Sequence, residues 1–123
     1  MRKLTAPALL LPVGLALIAT GPAAQAHAVL DHASPGVGSS LAVAPPILSL
    51  SFTQELEPAF TSVTVTNEAG QRVDLGNAQV LPGAPAELRV GLRPLPPGTY
   101  TVSWRVVSVD THPTEGRFQF TIG

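Results

Sequence analysis

The sequence predicts an all-β chain folded as an antiparallel β-sandwich, and three observations carry that expectation. Short runs alternate apolar and polar residues with period two, as half-buried strands do. The chain holds thirteen prolines and eleven glycines, most of which punctuate these runs, and no helical period appears. The stretch Leu95-Pro96-Pro97-Gly98-Thr99-Tyr100 resembles the tyrosine corner that precedes a central strand in Greek-key sandwiches.

Taken in order, the chain opens with what reads as a secretory leader. Arg2 and Lys3 form a positive start, Ala6 to Thr20 is largely apolar, Gly21-Pro22 breaks the run, and Ala24-Gln25-Ala26 supplies a small-x-small cleavage site. The apolar run is about 15 residues, short of the roughly 20 a membrane span needs, and Pro7, Pro12 and Gly14 interrupt it. Residues 1–26 are therefore expected to be removed, leaving a domain of residues 27–123 that begins at His27. No later segment is apolar enough to cross a bilayer, so the mature chain is expected to be soluble outside the cytoplasm.

Within that domain Leu48, Leu50 and Phe52 alternate with Ser49, Ser51 and Thr53. Val63 and Val65 alternate with Ser62, Thr64 and Thr66, and Asn67-Glu68-Ala69-Gly70 reads as a turn. Leu88, Val90 and Leu92 alternate with Arg89, Gly91 and Arg93. Tyr100, Val102, Trp104 and Val106 share one face of a longer run, which makes Trp104 a core residue in preference to a ligand contact. Phe118, Phe120 and Ile122 form the last strand, and Pro82 to Ala86 reads as a loop within the domain.

Composition narrows the function. Cysteine is absent, which excludes a disulfide framework and thiolate metal chemistry. The 97 residues after Ala26 are enough for one modest core, hiding roughly 60–70% of the chain surface on folding. They carry five basic and eight acidic side chains, a formal charge of −3, with no basic patch. Nucleic acid and anionic membrane surfaces are poor partners for such a chain.

Only three histidines are present, His27, His32 and His112. Cleavage after Ala26 would free the α-amine of His27, and an amine plus Nδ1 of the same residue can close a chelate ring on one metal. Asp110 and His112 are two apart, so extended backbone would project both to the same side, and Pro113 biases His112 away from the helical region. Two imidazoles, one amine and one carboxylate suit Cu(II). Zn(II) would accept the same donors with a tetrahedral preference, and Ca²⁺ or Mg²⁺ would want mainly oxygen. Met1, the single methionine, leaves with the leader, which disfavours Cu(I). His32 reads as solvated, as do Glu55 and Glu57 around Leu56. Arg105 either orients Asp110 or faces water, and Glu115 with Arg117 reads as a surface pair.

Two motifs add a resemblance. His27-Ala28-Val29-Leu30, followed by Ser34-Pro35-Gly36-Val37-Gly38-Ser39, resembles the mature amino terminus of the CopC family of periplasmic copper-binding proteins. Pro97 to Pro113, ending Val109-Asp110-Thr111-His112-Pro113, resembles that family's carboxy-terminal signature, and Gly116 to Ile122 continues it. The resemblance implies an immunoglobulin-like β-sandwich that holds one Cu(II) ion through His27, Asp110 and His112. It implies a periplasmic location, a role in copper resistance or uptake, and an inner-membrane copper permease of the CopD type as partner. Some members add a glutamate after the Phe of the first core strand. Here that position is Gln54, with Glu55 beside it, so a fourth side-chain ligand is left open.

Two other classes of function remain to be weighed. An amino-terminal histidine with a second histidine also occurs in the copper brace of polysaccharide monooxygenases, but a coordinating Asp110 would occupy a position those enzymes leave to oxygen. No flat aromatic substrate surface is evident, and the expected protein is not an enzyme. The last class is a structural sandwich whose histidines are incidental.

Overall fold

The computed structural model describes residues 28–123; the expected leader, 1–26, and His27 lie outside the described residues. Eight strands are found among the described residues. They are β1 (Leu30–Ser34), β2 (Ser40–Leu41), β3 (Ile47–Phe52), β4 (Ser62–Thr66), β5 (Gln79–Leu81), β6 (Ala84–Gly91), β7 (Gly98–Val107) and β8 (Pro113–Ile122). The five runs with clear alternation are β3, β4, β6, β7 and β8, and their apolar faces supply the core. Leu48, Leu50, Val65, Leu88, Val90, Val102, Val106 and Phe120 are almost completely buried. At about 1.5–3 kcal/mol for each large apolar side chain taken out of water, this face-to-face burial drives the sandwich.

The sheets have the orders β1-β3-β6-β5 and β2-β8-β7-β4. With β2 set aside, these are the orders of an immunoglobulin-like sandwich, one sheet of four strands facing one of three. The expectation of an antiparallel sandwich holds for every pair but one. Ser40 and Leu41 run parallel to Thr121 and Ile122. Here the chain leaves the first sheet after Ser34 and joins the free edge of β8, so no hairpin imposes a reversal.

Three elements differ from the sequence reading. β1, β2 and β5 are short edge strands without clean alternation. Pro82 to Ala86, read as a loop, is a tight turn at Pro82-Gly83 followed by the start of β6, with Ala84 paired to Leu81. Proline is tolerated at position 85 because this end of β6 lies beyond the regular part of its ladder with β3, which closes at Glu87.

The tyrosine corner is present: the Tyr100 hydroxyl donates to the Pro96 carbonyl, and its ring stacks on Phe120 at 5.6 Å. Trp104 packs against the core, edge-on to Phe52 across the two sheets at 5.1 Å and 76°. Its partner in the ladder is Gly116, where a Cβ would lie 2.7 Å from Trp104 Cζ2. The indole therefore lies flat against backbone that only glycine leaves open.

Asp74 is the one buried carboxylate among the described residues. It accepts hydrogen bonds from Val65 N and Gly76 N, both at 2.9 Å, and from Arg72 Nε at 2.9–3.1 Å. Burial alone would raise its pKa, but the Arg72 guanidinium and the two backbone donors outweigh it and hold the carboxyl below its ordinary value. A depressed folded-state pKa contributes stability above the unfolded value of about 4, lost as pH falls through the folded value.

Two predictions follow from this packing. Gly116→Ala should cost about 1–3 kcal/mol by overpacking, read by urea unfolding, with a red-shifted Trp104 emission in the folded state. Asp74→Asn should cost about 1.5–3 kcal/mol at neutral pH. Its stability should also fall less steeply than that of the parent as the solution is taken below pH 4, as followed by circular dichroism.

Candidate metal centre

The turn between β7 and β8 carries Asp110 and His112. β7 ends at Val107 and β8 begins at Pro113, so the ladder leaves residues 108–112 to reverse the chain. Thr111 N donates to Ser108 O at 2.7 Å, and Ser108 N donates to His112 O at 3.2 Å. Thr111 sits at φ 72°, in the left-handed region. For a β-branched residue that costs on the order of 1–2 kcal/mol, carried by the contacts that close the turn.

The expectation that extended backbone would align Asp110 with His112 is corrected here. The two residues lie on a tight turn, and the turn swings the carboxylate back over the histidine. Asp110 Oδ2 stands 3.4 Å from His112 Nδ1. Asp110 Oδ1 accepts from the Ser108 hydroxyl and from His112 N. The Ser108 hydroxyl is the largest influence and holds the Asp110 carboxyl below its ordinary pKa; burial opposes it, and the His112 backbone and ring add smaller lowering effects. Ser108 is buried, whereas the side chains of Asp110 and His112 are 38% and 53% exposed.

The start of the described chain reaches this same end of the sandwich. Val29 exchanges hydrogen bonds with Thr53, its N–H to Thr53 Oγ1 at 3.0 Å and its carbonyl from Thr53 N at 2.9 Å. One residue earlier, the Ala28 carbonyl accepts from Thr114 Oγ1 at 2.8 Å, and Ala28 is completely buried. Residues 28 and 29 thus cross from the end of β3 to the beginning of β8, two residues from His112.

The other sequence candidates fall around this turn without joining it. His32 is exposed on β1 and contacts Asp31 at 2.9 Å. Glu55 lends its backbone carbonyl to Val109 N at 3.0 Å and lines a cleft with Ser51, Ala84, Pro85, Ala86 and Glu87. Gln54 is half-buried in the same loop. Leu56, between Glu55 and Glu57, is buried and bridges to Ser108. Arg105 is exposed and stands opposite Glu115 in the ladder; the hydrogen bonds of Asp110 come from Ser108 and His112. Glu115 and Arg117 share the exposed face of β8.

Two donors on one ion at about 2.0–2.1 Å each lie roughly 2.8 Å apart at a right angle and about 4 Å apart when trans. The 3.4 Å between Asp110 Oδ2 and His112 Nδ1 falls inside that span. Among the described residues no group of three metal-ligating side chains is gathered. The described part of the candidate centre is therefore this carboxylate–imidazole pair. His27, the third candidate, lies outside the described residues. Ser108 and Thr114 were missed in the sequence reading; their positions two residues before Asp110 and two after His112 were the available signal.

Fold and turn together define a class: a cysteine-free immunoglobulin-like sandwich with a carboxylate–imidazole pair between its last two strands. A CopC domain model matches residues 30–123, and the chain belongs to the CopC family. Copper resistance protein C of Escherichia coli is 36% identical over 106 residues, covering 80% of this chain and 83% of that protein. The copper transport protein CutJ of Bacillus subtilis is 34% identical over 99 residues, 80% of this chain but 18% of that longer protein. The crystal structure of CopC from Methylosinus trichosporium OB3b superposes with a TM-score of 0.73 at 33% identity, covering 78% of this chain and 93% of that one.

The turn itself yields a prediction. Thr111→Asn, a residue that tolerates the left-handed region, should stabilise the metal-free protein by about 1 kcal/mol. Thermal unfolding reads the change, and a lower melting temperature would contradict the strain described here.

Proposed function

We propose that this chain is an extracytoplasmic Cu(II)-binding protein in copper homeostasis and resistance, with copper as its cargo and not a catalytic cofactor. In this reading residues 1–26 are a signal peptide cleaved after Ala26, and residues 27–123 are the copper-binding domain in the periplasm. One Cu(II) ion is held by the α-amine and Nδ1 of His27, by Asp110 and by His112. Relatives named for copper resistance and copper transport support the choice of metal.

The observation that carries the reading is the hydrogen bond from Thr114 to the Ala28 carbonyl. It brings Ala28, which would be the second residue of the mature chain in this reading, to the strand that follows the turn carrying Asp110 and His112. A carboxylate already set beside His112 favours holding an ion over leaving positions open for oxygen chemistry. Delivery to a membrane partner, an inner-membrane copper permease of the CopD type, belongs to the same reading, and a relative named for copper transport supports its transport side.

The deciding experiment compares the domain beginning at His27 with one carrying an extra residue ahead of it, by Cu(II) titration and electron paramagnetic resonance. The extension should weaken binding and change the spectrum; equal affinity and equal spectra would remove the amine from the site. Saturating Cu(II) at a hundredfold excess over its Kd should stabilise the His27-starting domain by about 2.7 kcal/mol. Affinity should fall as pH drops below about 6, because the amine and the imidazoles must give up protons to bind. Thr114→Val, which keeps the shape and removes the donor to Ala28, should weaken Cu(II) several-fold, on the order of the outer-contact effects known for metal sites.

A further inference from the structure

We infer that Ser108 is a positioning residue that makes Asp110 a one-oxygen donor of fixed direction. The inference rests on the reading of Asp110 and His112 as Cu(II) ligands and adds to it which atom of the carboxylate faces the ion and what selects that atom. A free carboxylate has two equivalent oxygens and can take a metal through one or both. At this turn they are not equivalent. Oδ1 accepts the Ser108 hydroxyl proton and lies 3.4 Å from His112 N, whereas Oδ2 is the oxygen directed at His112 Nδ1.

Ser108 can impose this because it does not move with the exposed donors. It is 1% exposed, its N–H and carbonyl are both used in closing the turn, and it bridges to the buried Leu56 from the neighbouring loop. Its hydroxyl has one proton. The His112 carbonyl at 3.4 Å is the poorer of its two acceptors, so the proton goes to Asp110. A buried hydroxyl with a single good acceptor leaves the carboxylate one rotation to settle in.

The consequence is selectivity as well as order. One oxygen in a set direction beside nitrogen donors fits a tetragonal Cu(II) site. Calcium, which takes many oxygens and often carboxylates in bidentate fashion, gains little from it. Removing the hydroxyl would let the carboxylate rotate and offer both oxygens.

The test uses the domain beginning at His27. Ser108→Ala should lower Cu(II) affinity about tenfold, within the range for outer contacts of metal ligands, and shift the copper hyperfine splitting. The metal-free melting temperature should stay close to that of the parent, and Ser108→Thr, which keeps the hydroxyl, should restore affinity and spectrum. A Ser108→Ala protein with parental affinity and spectrum, alongside an Asp110→Ala protein that loses copper, would overturn the inference and leave the copper site standing. If Asp110→Ala and His112→Ala both kept parental binding, the site reading itself would fail.

A measurement on the unsubstituted protein covers the case in which Ser108→Ala does not fold. The sequence holds three aspartates, Asp31, Asp74 and Asp110. With ¹³C-labelled aspartate, the infrared difference between copper-bound and metal-free protein isolates the one that changes. A separation of the two carboxylate stretches no narrower than that of the metal-free carboxylate is expected, since the Ser108 bond to the non-ligating oxygen holds a one-oxygen ligand short of its full splitting. A separation clearly below the metal-free value, the mark of two-oxygen chelation, would refute the inference.

Discussion

The pairing of β7 with β8 is the constraint on which the candidate centre depends. Ten consecutive residue pairs, from Gly98 with Ile122 to Val107 with Pro113, fix the hairpin register. A slip of one residue would turn Phe118, Phe120 and Ile122 toward water, and would put a residue with a Cβ under Trp104 in place of Gly116. The register is thus set by apolar packing along the whole hairpin, down to Tyr100 on Phe120 at the far end. Which five residues remain to make the turn follows from that register. The chemistry at the tip is a consequence of the core.

A ladder alone would leave such a tip loose, and three further contacts tie it down. Leu56 bridges to Ser108, Val29 and Thr53 exchange hydrogen bonds, and Thr114 holds the Ala28 carbonyl. Each is worth only about 0.5–1.5 kcal/mol net. Together they link both sheets and two loops at one end of a chain that has no disulfide to do so. Asp74 does comparable work elsewhere, fastening the segment after β4 with donors from Val65, Gly76 and Arg72.

Much of this fold was legible in the sequence, and the parts that were not share a physical cause. Leu48 to Phe52 and Tyr100 to Val106 declare themselves because each has one wet face and one dry face, and alternation records that difference. β1, β2 and β5 lie at sheet edges, where exposure is mixed and the pattern blurs. The tyrosine corner could be read because its hydrogen bond spans four residues. Asp74 could not be singled out, and Ser108 offered only its position two residues before Asp110, since nothing local says that a serine or an aspartate will be buried. Asp110 and His112 were paired on the expectation of extended backbone, yet a left-handed Thr111 brings them together. Spacing signalled proximity without the conformation that produces it.

The candidate centre divides its labour between depth and surface. The groups that position are buried: Ser108 under Asp110, and Ala28 against Thr114. The groups that offer electron pairs stay partly in water, Asp110 and His112 among them. Burying the carboxylate itself would order it too, but at a desolvation cost of several kcal/mol for an uncompensated charge. A buried hydroxyl holds it from below and leaves the carboxylate partly exposed at the surface. For an ion carried as cargo the same arrangement matters in reverse. An ion held at an exposed turn by donors ordered from beneath can be reached from the solvent side by an incoming ligand, and the core that positions those donors need not open to release it.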